Sequence, residues 1–221
     1  MRPETTLRWL ARLARVLTAP FVRLEIRGGA CATRLHTGII AANHRSLFDV
    51  AAGLIAFHRF QRYPRLLIAR EYVEGRWTAP FCRAIGAIPV DRGGDRALAL
   101  TVAEERLAEG IPILVMPEGR LHWDPEHPLQ TGPARTGISR LAVAAGAIVV
   151  PAAVVGSERI WPATSYLPRP NPFRRKHVVV NVADEEMVLA GDDHRANTER
   201  VMAEVRRLIA EASENPPGDE G

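Results

Sequence analysis

Residues 43–49 read Asn-His-Arg-Ser-Leu-Phe-Asp, directly after the apolar run 38–42. His44 and Asp49 are the pair here that could handle a proton, an imidazole as general base and a carboxylate to hold and support it. Five positions rotate an α-helix ~140° out of alignment, so the two cannot meet on one helix face. They meet only if His44 sits on a turn and Asp49 in the first turn of the helix that follows, and Ser46 supplies that boundary. The same residues have a plain structural reading. Ser-Leu-Phe-Asp is a capping-box-like pattern, in which Asp49 is a helix-cap carboxylate and His44 a loop residue satisfied by backbone. A protein nucleophile is hard to find. Ser46 looks like a cap, Cys82 lies in a helix-like approach to a strand, and there is no G-x-S-x-G elbow. A base and its supporting acid without a protein nucleophile suit a reaction whose nucleophile is the substrate's own hydroxyl.

Two further polar clusters follow apolar runs. Asp91-Arg92-Gly93-Gly94-Asp95 follows the run 84–90, and Pro117-Glu118-Gly119-Arg120 follows 111–116. Backbone amides opening a helix at Gly93-Gly94, with Arg92 beside them, favour an anion such as a phosphate. Glu118, on a tight turn, is placed to hydrogen-bond a substrate hydroxyl or to hold Arg92. Each cluster alone also reads as an ordinary surface turn.

The elements that must position these clusters alternate. Apolar strands are expected at 37–42, 65–69, 84–90, 111–116, 147–156 and 176–182, and helices at 46–58, 95–110, 137–146 and 193–213. Asp95 is the expected N-cap and Gly110 the stop of the second of these helices. Unbroken apolar strands alternating with helices mean an α/β fold with a largely parallel mixed sheet flanked by helices. In such sheets ligands bind outside the carboxyl ends of the strands. Three polar clusters at three such ends predict one crevice.

An N-terminal helix is expected over 5–19. Leu7, Leu10, Leu13, Ala14 and Leu17 recur at helical spacing, with Arg8, Arg12 and Arg15 on the opposite side. A basic amphipathic helix carrying Trp9 suits a membrane interface; its apolar face equally suits packing on the domain. The chain is expected to divide into this amphipathic membrane-interface helix segment (1–28), one α/β domain (29–213) and a disordered tail (214–221).

Composition narrows the classes. The chain has 221 residues, 47% of them apolar, enough for a substantial core. Two cysteines without metal-ligand spacing give neither a zinc site nor a disulfide framework, and a reducing compartment is the default reading. His122, Asp124, Glu126 and His127 are irregularly spaced in a Pro-containing loop, so no metal is expected. The net charge is +4, and Lys176 is the only lysine. This permits anionic partners, but no basic stripe interleaved with aromatics points to nucleic acid. The longest uncharged run, 141–157, is broken by Gly146 and Pro151 and falls short of the ~20 apolar residues of a spanning helix. Residues 1–20 carry arginines through their apolar stretch, which is not the signal-peptide pattern.

Taken together, the clusters resemble the glycerolipid acyltransferase family, the 1-acylglycerol-3-phosphate O-acyltransferases. Its N-H-x-x-x-x-D motif is met by Asn43, His44 and Asp49. Its G-x-I-P-V-x-R run is met by Gly86, Ile88, Pro89, Val90 and Arg92. Its F-P-E-G-T-R-S motif is met in part by Pro117, Glu118 and Gly119, and its V-P-V-A-like strand by the segment around Pro151. The resemblance runs from about residue 30 to 160. It implies that His44 accepts the proton of an acceptor hydroxyl as that hydroxyl attacks an acyl-CoA or acyl-carrier-protein thioester. Asp49 orients His44, and Arg92, Glu118, Gly119 and Arg120 bind the glycerol-phosphate end. Asn43, Ser46 and Pro117 shape the motifs, and no metal or cofactor is required. It further implies a lysophospholipid acceptor and a peripheral place at the cytoplasmic face of the cell membrane. One departure stands out: after Gly119 the family's Thr-Arg-Ser is replaced by Arg120-Leu121-His122. Arg120 or Arg135 then has to meet the phosphate, or the acceptor is a different lysolipid. A non-catalytic lipid-binding protein and a thioesterase-like hydrolase are the competing readings.

Overall fold

The computed structural model describes residues 3–35, 37–91, 96–165, 167–171 and 173–214. In chain order the elements are α1 (Pro3–Thr18), β1 (Val22–Gly28), α2 (Ala30–Arg34), β2 (Ile39–Ala42), α3 (Phe48–Arg59), β3 (Arg65–Ala69), α4 (Arg70–Val73), α5 (Ala79–Ile85), β4 (Ile88–Val90), α6 (Arg96–Ala108), β5 (Ile113–Val115), α7 (Gly137–Ala145), β6 (Val149–Val155), a 3-10 turn (Ser157–Arg159), β7 (Lys176–Val182) and α8 (His194–Glu214). The seven strands form one sheet in the order β1-β7-β6-β2-β5-β3-β4. Every pairing is parallel except β6 with β7.

Side chains alternate across the pleat, and that alternation builds two cores. Ile40, Ala42, Leu114, Val150 and Val154 face one layer with Phe48, Ala52 and Phe57 of α3. Ile39, Ala41, Ile113, Val115 and Val149 face the other with Ala103 of α6 and Leu141 of α7. Strands buried on both faces read as continuous apolar runs, which is how β2 and β6 are legible. Because β2, β4, β5 and β6 run the same way, the turns after them gather at one edge of the sheet.

Besides the short unexpected helices α2 and α4, the elements differ from the sequence expectation in two places. Residues 22–28, grouped in the sequence with the N-terminal helix, form β1, an edge strand paired along its length with β7. The expected strand 84–90 is split. Ile85 ends α5, Gly86 turns the chain in the left-handed region (φ 68°), and only Ile88–Val90 enters the sheet. Both isoleucines are buried, one from a helix and one from a strand, so the apolar run conceals the break.

α1 packs on α3 and α5. Leu7 and Ala11 are buried beneath it, while Trp9, Leu13, Val16 and Leu17 remain exposed. Only part of its apolar surface is thus covered by the domain. Among the described residues no helix is long and apolar enough to cross a membrane.

Candidate active site

The turn after β2 is fixed before its chemistry begins. Asn43, fully buried, donates from Nδ2 to the Val154 carbonyl (2.9 Å) and accepts the Val154 N–H on Oδ1 (2.7 Å). It thereby pins the exit of β2 to the end of β6. Ser46 then starts α3. Its Oγ accepts the Phe48 N–H (3.0 Å) and donates to the Trp161 carbonyl (2.7 Å). A hydroxyl so committed is a cap and a tether rather than a nucleophile.

The helix start brings Asp49 back under His44. Asp49 is 1% exposed, and its Oδ2 accepts the backbone N–H of Arg45 (2.7 Å) and Ser46 (2.9 Å). The same oxygen lies 3.0 Å from His44 Nδ1. A carboxylate only accepts, so the Nδ1 hydrogen belongs to the imidazole and Nε2 is left with its lone pair. The His44 ring is partly exposed, which leaves that lone pair within reach of a substrate. The helix-cap reading and the base–acid reading of this stretch therefore describe one arrangement.

Glu118 holds the turn from below. Expected to meet a substrate hydroxyl or to hold Arg92, Glu118 is 3% exposed, and both its oxygens accept from backbone. Oε2 accepts the His44 N–H (3.0 Å) and Oε1 the Gly132 N–H (3.3 Å). Two further backbone bonds knit the loop: His122 N–H to the His44 carbonyl (2.7 Å) and Arg135 N–H to the Pro117 carbonyl (2.8 Å). Burial pushes the Glu118 carboxyl up to about 7, against the pull of its two N–H donors.

That shift has a sign for stability. The folded protein keeps a proton on Glu118 that the unfolded chain, at the ordinary value of 4.5, has released. Its contribution to stability is whole below pH 4.5 and is lost as pH rises through about 7. Thermal unfolding across this range is expected to show a wild-type melting temperature that falls more steeply than that of Glu118→Gln. Equal slopes for the two proteins would show that Glu118 does not titrate this way.

Arg45 is the buried cation of the site, at 2% exposed. Its guanidinium donates to the Pro128 carbonyl and lies 4.9 Å from the centre of the Trp123 ring. Burial lowers its pKa, and the neighbouring Glu158, Asp49 and Glu118 carboxyls oppose that shift. Glu158, 6% exposed in the turn after β6, has its own pKa raised by burial. Neither residue was singled out by sequence reasoning. Arg45 occupies an unspecified position of its motif, and an isolated glutamate after Gly156-Ser157 carries no signal.

The expected phosphate side is only partly in view. Arg92, Gly93, Gly94 and Asp95 lie outside the described residues. Gly119 turns in the left-handed region (φ 68°), and a Cβ there would sit 3.0 Å from Arg135 Nε. The turn therefore needs glycine both for its backbone and for the approach of Arg135. Arg120 and Arg135 are both exposed. Asp124, Glu126 and His127 come close enough to share an ion, but Asp124 already accepts from the Glu126 N–H (2.9 Å) and pairs with His127 Nδ1 (3.0 Å) at the surface.

No curated protein sequence matches the chain. The fold is similar to that in the crystal structure of the 1-acyl-sn-glycerophosphate (LPA) acyltransferase PlsC from Thermotoga maritima. The TM-score is 0.78 at 18% identity, covering 99% of this chain and 86% of that one. The Acyltransferase family matches residues 23–155, from β1 to the end of β6, and so contains the turns that carry His44, Asp49 and Glu118. The chain belongs to the acyltransferase family.

Proposed function

We propose that the protein transfers an acyl chain from acyl-CoA or acyl-carrier protein to the free hydroxyl of 1-acylglycerol-3-phosphate, giving phosphatidic acid. The observation that carries this reading is a base and supporting acid, His44 and Asp49, whose neighbouring Ser46 hydroxyl is already committed. His44 Nε2 takes the proton of the acceptor hydroxyl as its oxygen attacks the thioester carbonyl. The carbon–sulfur bond breaks, and the proton passes from the imidazolium to the leaving thiolate. Asp49 holds the ring in the required tautomer and balances its transient charge. Cys82 is a poor alternative nucleophile, since burial raises its thiol pKa and removes it from solvent. Arg92, Arg120 and Arg135 are the cations for the acceptor's phosphate, with the Gly119 turn bringing Arg135 close. No metal or cofactor enters the reaction.

The acceptor is tested by mass-spectrometric product detection. Purified protein is incubated with long-chain acyl-CoA and a panel of lysophospholipids. Phosphatidic acid from lysophosphatidic acid is the expected dominant product. A product with another lysolipid alone would assign the Arg120-Leu121-His122 departure to acceptor choice. No product with either acyl-CoA or acyl-carrier protein would favour a lipid-binding protein on the same scaffold.

The same reading assigns α1 to a membrane surface, as suits a peripheral enzyme at the cytoplasmic face of the cell membrane. Trp9, Leu13, Val16 and Leu17 are exposed on one arc of ~100°. Arg8, Arg12 and Arg15 flank it and make no ion pair among the described residues. Apolar insertion beside cationic headgroup contacts is how an interfacial helix binds. Reversing the three arginines to glutamate is expected to weaken binding to anionic vesicles by at least ~100-fold, at about 1 kcal/mol per basic residue lost. Binding that ignores both the reversal and added salt would remove α1 from this role.

A further inference from the structure

The loop 161–175, which runs from the 3-10 turn toward β7, holds two large apolar side chains in water: Leu167 is 73% exposed and Phe173 94%. Hydrogen bonds hold them there. Trp161 Nε1 donates to the Ser165 carbonyl (3.0 Å), Ser165 Oγ to the Leu167 carbonyl (2.8 Å), and the Arg169 N–H to the Ile160 carbonyl (2.7 Å). Asn171 Oδ1 accepts the Phe173 N–H (3.0 Å). Pro162, Pro168 and Pro170 fix φ between these bonds. Cations surround the two tips. Arg169, Arg174 and Arg175 are exposed and Lys176 is half-buried, and none forms an ion pair among the described residues. No acidic residue occurs from 159 to 177. An exposed apolar group on an ordered loop, ringed by unpaired charge of one sign, marks an interaction surface.

The sheet register puts this loop at the edge that carries His44. β2, which leads to His44, is parallel to β6, with Ala42 beside Ala152, so both strands end at one edge. β7 is antiparallel to β6, with Val155 beside Val179, so the chain leaves the sheet and re-enters it at that same edge. β1 is parallel to β7, with Val22 beside Lys176, and the Lys176 N–H donates to the Phe21 carbonyl (2.9 Å). The C-terminal end of α1, with Val16 and Leu17 exposed, therefore arrives there too. Ser46 Oγ, donating to the Trp161 carbonyl (2.7 Å), ties the start of the loop to the helix start that carries Asp49. Apolar tips among cations suit a surface that is anionic at its face and apolar beneath, as an anionic bilayer is. An acidic protein would match the cations but would need a shaped pocket for each tip, whereas hydrocarbon takes both without one. We infer that the loop 161–175 is a second membrane-inserting element, dipping Leu167 and Phe173 below the headgroups of an anionic bilayer while Arg169, Arg174, Arg175 and Lys176 meet the lipid phosphates. Together with α1 it draws the His44 edge onto the lipid surface. The inference rests on the membrane reading of α1 for continuity, and on acyl transfer not at all.

Cys31 and Cys82 are buried, at 2% and 3% exposed, so a thiol-reactive dye on Pro170→Cys labels the loop alone. On vesicles of phosphatidylglycerol and phosphatidylcholine, an environment-sensitive dye there is expected to shift to the blue and to be quenched by lipids brominated along their chains. A dye that keeps its aqueous spectrum on fully vesicle-bound protein would overturn the inference. Vesicle sedimentation compares two double variants. Leu167→Ser with Phe173→Ser, and Arg174→Glu with Arg175→Glu, are each expected to weaken binding about tenfold or more, the effect of the charge pair shrinking in high salt. Wild-type binding by both pairs would overturn the inference as well. Transfer to vesicle-borne lysophosphatidic acid should fall with binding, while transfer to a short-chain, water-soluble lysophosphatidic acid keeps the wild-type rate, which a misfolded variant could not do. If the charge pair instead raises only the KM for an acyl-carrier-protein donor and leaves vesicle binding unchanged, the loop docks a protein and the inference falls. Wild type that binds vesicles through the loop yet transfers no acyl chain would remove the proposed reaction and leave the loop its role. Active wild type whose vesicle binding is weakened by the α1 reversals but by neither loop pair would do the reverse.

Discussion

Replacing His44 by alanine is expected to slow acyl transfer by ~10²–10⁴-fold, the range for loss of a positioned general base. The fold should survive. The His44 backbone N–H and carbonyl carry the bonds to Glu118 and His122, and alanine keeps both. The ring itself contributes one hydrogen bond and is partly exposed. Asp49→Asn extends the test. All three contacts, to the Arg45 and Ser46 N–H groups and to His44 Nδ1, fall on one Asp49 oxygen, so the amide oxygen can keep them while the negative charge that balances the imidazolium is lost. Asp49→Asn is therefore expected to lose activity with the helix start intact. A His44→Ala protein that keeps full turnover would end the general-base reading.

The second large effect is on stability. Arg45→Met removes a buried guanidinium that attracts the Glu158, Asp49 and Glu118 carboxyls and donates to the Pro128 carbonyl, and is expected to cost about 1–3 kcal/mol, the range for losing a buried charged hydrogen-bond donor. The loss should be greatest at neutral and higher pH. Burial already raises the Glu118 and Glu158 carboxyls, so protonation toward acid removes the charge that Arg45 balances. Urea unfolding at acid and mildly alkaline pH measures both the size and the slope. Adding Glu158→Gln to Arg45→Met should restore part of the loss, because the first of Arg45's opposing charges is then gone. A cost below ~1 kcal/mol at both pH values would place Arg45 among ordinary surface pairs.

Much of the site is legible in the sequence because its roles are set by residue type and spacing. Asn43, His44, Ser46 and Asp49 lie within one turn and one helix start, so local geometry alone decides whether they meet. The apolar runs at β2, β3 and β7 are legible because strands buried on both faces are continuous. β1 is harder to see. Val22, Leu24 and Ile26 alternate with Arg23, Glu25 and Arg27, the period-2 pattern of a half-exposed edge strand. The preceding basic helix draws the eye past it. The roles of Arg45, Glu118 and Glu158 arise only when the turns after β2, β5 and β6 converge. No local pattern shows that Glu118 spends both oxygens on backbone, or that a guanidinium is buried among three carboxyls. The antiparallel pairing of β6 with β7 is likewise a tertiary choice, since both segments read as equivalent apolar strands.

The direct measurement of the central claim follows coenzyme A thiol release from long-chain acyl-CoA, with and without lysophosphatidic acid, alongside the lipid product. If the substrate's hydroxyl is the nucleophile that His44 activates, thiol should appear only with acceptor present and match phosphatidic acid mole for mole. Thiol released at the same rate without acceptor would make water the nucleophile and the protein a thioesterase, contradicting the transfer mechanism.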